Sequence, residues 1–205
     1  MTNPVDDGPD WTWHAVDASR WPELVPLFGD TGARAGCWCM RWRLRRDDFE
    51  RGKGEAHRAR LQQGIAAGEV HGVIGYLDGK PVGWCSFAPR DRLPGLSGSE
   101  ALAPVDDRPV WSIACFFVAR GARRRGHTVD LLRAAVAEAG RHGATLVEGY
   151  PLDPPLQKIP LAAAWTGLLT TFRAAGFEEV CRRAPARPIM RIEVDRQVSG
   201  RGGSG

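Results

Sequence analysis

Val110-Trp111-Ser112-Ile113-Ala114-Cys115-Phe116-Phe117-Val118, running on into Ala119-Arg120-Gly121-Ala122-Arg123-Arg124-Arg125-Gly126-His127-Thr128, is the stretch on which the reading of the fold depends. Its first half is a near-continuous apolar run, as expected of a strand buried on both faces of a mixed sheet. Its second half is a polar turn rich in arginine and glycine. Beyond it Val129, Leu132, Val136 and Ala139 recur at helical spacing, and Gly143 ends the helix. A strand feeding a helix through such a turn presents backbone N–H groups at the helix N-terminus, backed by the helix dipole. That is a ready site for a pyrophosphate, with Gly126 letting the backbone come close and the arginines adding counter-charge.

Working outward, Trp11 to Val16 alternates as a first strand, and Asp17-Ala18-Ser19 offers caps for a short helix holding Trp21, Leu24, Val25 and Leu27. The text from Thr31 to Gly68 predicts two helices, one containing Cys37-Trp38-Cys39-Met40-Arg41-Trp42 and one over Glu55 to Ala67. Val70 to Leu77 and Pro81 to Phe87 flank Asp78-Gly79-Lys80, a strong hairpin signal. Arg90 to Arg108 reads as a long connection that borders a ligand site. Ala144 to Tyr150 is a further strand, the prolines from Pro151 to Pro160 impose a loop, Ala162 to Ala175 is helical, and Phe177 to Arg182 and Ile189 to Val194 are terminal strands. The polar, Gly/Pro-bearing residues 1–10 and the Gly/Ser-rich 195–205 are expected to be flexible, leaving 11–194 as a single domain.

Composition narrows the class. Of 205 residues, 43% are hydrophobic and 25% charged, ordinary for a globular chain with its own core. No apolar run approaches the roughly 20 residues needed to span a bilayer, and the opening residues lack a signal-peptide core, so a cytoplasmic protein is expected. Five cysteines, an odd number without paired ligand spacing, favour reduced thiols and no metal. Cys115 reads as packing, since no His or Asp signature accompanies it. The net charge of +4 is carried almost wholly by arginine and lacks the motifs of a nucleic-acid reader, so no nucleic-acid partner and no membrane partner are expected.

The segment from Phe117 to Thr128 resembles the pyrophosphate loop of the GNAT acetyltransferase superfamily, whose pattern Gln/Arg-x-x-Gly-x-Gly/Ala is filled by Arg123, Gly126 and Thr128. Thr128 departs from the usual small residue. The order of elements over roughly 11–194, and Phe172-Arg173-Ala174-Ala175-Gly176-Phe177 near the end, are similar to that family. The resemblance implies an α+β fold: a mostly antiparallel mixed sheet of six to seven strands flanked by helices, with its central parallel strands splayed. It implies acetyl-CoA as cosubstrate, lying where the strand Trp111–Val118 parts from Thr145–Tyr150. Main-chain groups of Phe116, Phe117 and Val118 would meet the pantetheine, Arg123, Arg124, Arg125, Gly126, His127 and Thr128 the phosphates, and Phe172 the cofactor's flank.

Direct transfer to an amine then requires positioning, a polarised thioester and a proton acceptor. Glu148 is the first candidate acceptor and is equally readable as a solvated carboxylate; Asp153 is the alternative, or a turn cap. The family often places a tyrosine where this chain has Phe172, so Tyr150 is the substitute acid candidate, or a packed aromatic. On the acceptor side, Trp38 and Trp42 are expected four apart on one helix face as pocket wall or core, Arg41 as an anchor for a carboxylate or phosphate, and Trp165 as a further wall residue. The implied activity is N-acetyl transfer to a small-molecule amine. The alternatives are a non-catalytic acyl-CoA-binding module and a protein N-acetyltransferase. Monomer or homodimer is left open.

Overall fold

The computed structural model describes residues 10–123, 125–153 and 165–194. Seven strands, β1 (Trp11–Ala15), β2 (His71–Leu77), β3 (Lys80–Pro89), β4 (Trp111–Val118), β5 (Leu146–Gly149), β6 (Glu178–Ala184) and β7 (Arg187–Glu193), form one sheet in the order β1-β2-β3-β4-β5-β7-β6. Every neighbouring pair is antiparallel except β4 and β5. This is the mixed, helix-flanked sheet that the resemblance implied.

Local chemistry accounts for much of it. Asp78 and Gly79 both take positive φ, 49° and 71°, closing the β2–β3 hairpin with the two-residue turn whose twist matches the strands. β4 alternates side chains to two covered faces. On one face Phe87, Ile113 and Val147 pack beneath α4 (His127–Arg141), which offers Leu131, Leu132, Ala135 and Ala139 as a helical stripe, and beneath α5 (Leu169–Ala174). On the other, Ile74 and Trp84 meet Leu24 and Phe28 of α1 (Trp21–Phe28) and Leu61 and Ile65 of α3 (Glu55–Ala66). A short α2 (Arg46–Arg51) precedes α3.

Two helical expectations are corrected. Residues 31–44 form a chain of turns, not a helix, so Trp38 and Trp42 do not share a helix face. Ala33, Ala35, Trp38 and Cys39 all have positive φ, from 44° to 67°, which no α-helix accommodates. Four non-glycine residues in this sparsely populated region persist only because burial of Trp38, Cys39 and Met40 holds them. At the other end the helix begins at Leu169, with Trp165 to Leu168 in turn and extended conformations; the start expected at Ala162 lies outside the described residues, as do residues 1–9 of the segment 1–10 expected to be flexible and all of 195–205.

The parallel pairing that matters for function is short. β4 and β5 are in register only at Trp111↔Val147 and Ser112↔Glu148, after which β4 continues alone to Val118. The strands therefore part, and the gap opens toward the loop before α4.

Beyond this gap, His71 lies against Trp111 and 4.3 Å from the His142 ring. Burial first, then the charge of His142 and of Arg43, hold its pKa down at about 4. The unfolded chain takes up this proton near pH 6.5 and the folded chain only near 4. Stability is therefore expected to fall as pH drops through that window. Urea midpoints for the protein and for His71→Gln between pH 7 and 4 check this, the variant giving the shallower decline.

Candidate active site

The gap between β4 and β5 is part of a cleft of about 660 Å³. Its floor is Cys115 to Val118 of β4. One wall is the start of α4, with Arg123, Gly126, Thr128 and Val129; another is Trp165, Gly167, Leu168 and Thr171 before and within α5. The third is the turn segment Ala33 to Arg41 with Phe49 and Lys53.

The α4 end is built to receive an anion. Gly126 occupies the N-cap with φ 85° and ψ −20°, and no side chain caps the helix. The Val129 N–H donates to the Gly126 carbonyl at 2.8 Å, and the dipole of a 15-residue helix favours negative charge at the end that Gly126 opens. A Cβ on Gly126 would meet no protein atom within 4 Å, so the space over the glycine is open. Arg123 folds back, its Nε donating to the Val118 carbonyl at 2.8 Å and tying the loop to the end of β4. The residues present thus fit a pyrophosphate.

Strand amides alternate in direction, and on β4 the Ala119 N–H points to β3, donating to Val82. Phe116 and Val118 therefore turn their N–H groups toward the gap. The Phe116 N–H donates to the Trp165 carbonyl at 2.7 Å, so the Val118 amide remains for a ligand lying along the strand.

Several predicted residues gather at this cleft: Phe116, Phe117, Val118, Arg123, Gly126 and Thr128, with Arg41 and Trp165 across from them. Arg125 is exposed nearby, and Arg124 lies outside the described residues. Others stand behind the walls. His127 is buried and stacks on Trp11, ring centroids 5.0 Å apart. Phe172 is fully buried, edge-on to Phe116 and Phe177. Trp38 packs against Trp21 and Phe28 in the core. Trp42 joins Trp165 at 4.8 Å and Tyr150 at 5.3 Å, so these three aromatics do form one cluster, through tertiary packing.

Phe172 also explains Gly149, whose missing side chain leaves room for its ring. Gly149→Ala overpacks that contact and is expected to cost about 1–3 kcal/mol. A thermal melt beside the parent protein measures the loss.

Glu148 and Tyr150 sit in a closed polar network. Arg191 Nε donates to one Glu148 oxygen at 2.8 Å; Arg90 at 3.0 Å and the Tyr150 hydroxyl at 2.6 Å donate to the other. Tyr150 is also bonded to Ser112 and accepts from Arg90, and Arg191 continues to Asp106. Burial and the neighbouring Glu148 push the Tyr150 phenol far above its ordinary range. Asp153 is paired with Arg182 at 2.7 Å. Neither Glu148, Tyr150 nor Asp153 lines the cleft.

The cysteines behave as packing thiols with one close pair. Cys39 and Cys115 stand Sγ to Sγ at 2.8 Å, and that contact together with burial pushes the Cys115 thiol well above its usual range; Cys37 is raised to about 11. Among the described residues no group of three His, Cys, Asp or Glu is placed to hold a metal.

Missed by sequence reasoning were Ala33, Arg34, Ala35, Phe49 and Lys53 as cleft wall. Gly32 and Gly36 hinted at the turns, but no motif pointed inward.

These features define an acyl-CoA-type transferase fold, and comparison with known proteins places the chain within it. A family model described as "Acetyltransferase (GNAT) family" matches residues 38–151, more than half of the sequence. The chain belongs to the GNAT acetyltransferase family. No curated protein sequence matches it. Solved structures share the fold at low identity. The aminoglycoside acetyltransferase AAC(6')-Ib, in complex with paromomycin and acetyl-CoA, is 17% identical with a TM-score of 0.51, covering 95% of this chain and 99% of that one. A GNAT-family protein from Desulfovibrio desulfuricans is 14% identical with a TM-score of 0.51, covering 91% and 100%. The yncA protein of Salmonella typhimurium, with its cofactor acetyl-CoA, is 14% identical with a TM-score of 0.50, covering 90% and 94%.

Proposed function

We propose that the protein transfers an acetyl group from acetyl-CoA directly to the amine of a small molecule, both substrates being bound together in the cleft. The observation that carries this is the continuity of the cleft from the open helix N-terminus at Gly126, along β4, to the enclosed wall of residues 33–41 and 53. The first end suits phosphates and the strand suits an extended pantetheine. The walled end leaves space for a small acceptor.

In this reading Gly126, Thr128 and the first amides of α4 hold the pyrophosphate, with Arg123 bracing the loop. The Val118 N–H donates to the thioester carbonyl as it gains negative charge, because the Phe116 N–H is already engaged. The amine nitrogen forms the new bond to the acyl carbon, the carbon–sulfur bond breaks, the electron pair leaves with sulfur, and the amine gives up a proton. Among the described cleft residues there is no carboxylate or imidazole. We therefore assign proton removal to water in the open cleft, and assign Glu148 and Tyr150 to holding β5 against Arg90 and Arg191. Reduced thiols, and residues 11–194 acting as one unit in the cytoplasm, accord with this role.

A thiol-release assay with acetyl-CoA and a library of small amines tests the proposal. Acceptor-dependent release is expected. Two observations favour a second reading, a module that binds acyl-CoA without turnover: the Trp165 carbonyl occupies the Phe116 N–H, and Phe172 stands where the family often has a phenol. Tight acetyl-CoA binding with no release for any small amine or peptide would establish that reading instead.

A further inference from the structure

The charges on the cleft wall say more about the acceptor than the fold does. The cationic side chains lining it are Arg34, Arg41, Lys53 and Arg123, and the described lining residues include no Asp or Glu. Arg123 belongs to the phosphate end. Arg41 and Lys53 belong to the opposite wall, whose position is fixed by Cys39 meeting Cys115 at the inner end of the exposed β4 edge. Acetyl-CoA's phosphates are called for at the α4 end, and Lys53 is held by Glu50, which leaves Arg41 as the cation of this wall with no ligand assigned.

Their local setting is specific. The Arg41 guanidinium lies 5.3 Å and the Lys53 ammonium 5.2 Å from the centroid of the Phe49 ring, which is buried beneath them. Lys53 is paired outward with the exposed Glu50, a carboxylate that also feels the charge of Arg41; among the described residues no carboxylate comes within ion-pair distance of Arg41. Phe49, Phe117, Trp165 and Leu168 supply apolar surface alongside. A guanidinium presented on an aromatic face, beside apolar walls, matches a planar or tetrahedral anion attached to an apolar body. The same field repels a polycation.

Resting on the reading of the cleft as an acetyl-transfer site, we infer that the acceptor is an amine bearing an anionic group, a carboxylate or phosphonate, with Arg41 as its anchor and Lys53 as supporting charge. Amino acids and aminophosphonates with apolar side chains are the chemical class; amines carrying several positive charges are excluded from it.

Calorimetry on the CoA-saturated protein, which cannot turn over, tests this with matched pairs: L-phenylalanine against 2-phenylethylamine, L-leucine against isoamylamine, and 1-amino-2-phenylethylphosphonate, with kanamycin as polycation. The anionic member of at least one pair is expected to bind at least about tenfold more tightly than its neutral-bodied twin, the scale of one charge-assisted contact. Arg41→Gln should erase that preference while leaving the acetyl-CoA dissociation constant unchanged. The inference is overturned if no anionic probe binds, if the decarboxylated amines or kanamycin bind as well, or if Arg41→Gln weakens acetyl-CoA to the same degree, which would make Arg41 a cofactor contact. Failure of acetyl-CoA itself to bind sinks the proposed transferase instead, and the same pairs titrated into the unliganded protein then decide the anion site alone. Anion binding without turnover leaves the anion site standing and removes only the transfer step.

Discussion

Gly126→Val is expected to weaken acetyl-CoA binding by about a hundredfold in a calorimetric titration, while leaving the protein folded. At φ 85° a β-branched residue is a genuine outlier, so the loop must either carry strain or rotate out of the left-handed region. Rotation re-aims the first amides of α4, and losing one or two charge-assisted donors to the pyrophosphate removes roughly 3 kcal/mol of binding, the free-energy equivalent of that hundredfold. Because a Cβ here touches no protein atom within 4 Å, packing is not disturbed, and the melting temperature should fall by only a few degrees. Gly126→Ala should lie between the two. An unchanged dissociation constant in the valine variant would remove the phosphate cradle from this loop.

The second large effect concerns stability. Glu148 has a side chain 1% exposed and pairs with Arg191, itself 4% exposed, and with Arg90. Glu148→Ala strands two guanidinium groups and the Tyr150 hydroxyl without their shared acceptor. Breaking a buried pair in this way costs about 3–5 kcal/mol, which for a chain of this size lowers the melting temperature by roughly 6–20 °C. Glu148→Gln keeps an acceptor oxygen and should recover part of the loss. A turnover measurement on the glutamine variant separates the two roles of this residue. Activity near that of the parent protein supports β5 support as its task; a stable variant without turnover returns Glu148 to the reacting amine as proton acceptor.

The AAC(6')-Ib structure was solved with an aminoglycoside, whereas the cleft described here is lined by cations. A common fold therefore leaves acceptor chemistry to the wall residues, which differ in kind from the cofactor-facing backbone. Main-chain amides at a strand edge and a helix start recognise the same pyrophosphate with almost any sequence around one glycine. An acceptor is recognised by side chains and loops.

The sequence by itself determined the elements whose causes are local. Asp78-Gly79 closes a hairpin because both residues tolerate positive φ; the run Val110 to Val118 is a central strand because it is apolar at every position but Ser112; Gly126 starts α4 and leaves its N-terminus open. Those features sufficed to place the N-terminus of α4 at the cleft. Tertiary structure alone decided the rest. Cys37 to Trp42 carries helix-compatible spacing, yet it turns repeatedly because burying Trp38 against Trp21 and Phe28 outweighs local propensity. Glu148 read as a proton acceptor or a solvated carboxylate; its burial rules out the solvated reading, and the pairing with Arg90, 58 positions before it, and Arg191, 43 positions after it, was set by tertiary structure. Phe49 and Lys53 reach the cleft from a helix and turn that no motif marks. Local dihedral preference is written into each residue, while the partner of a buried charge or ring is set only when distant segments compete for the same space.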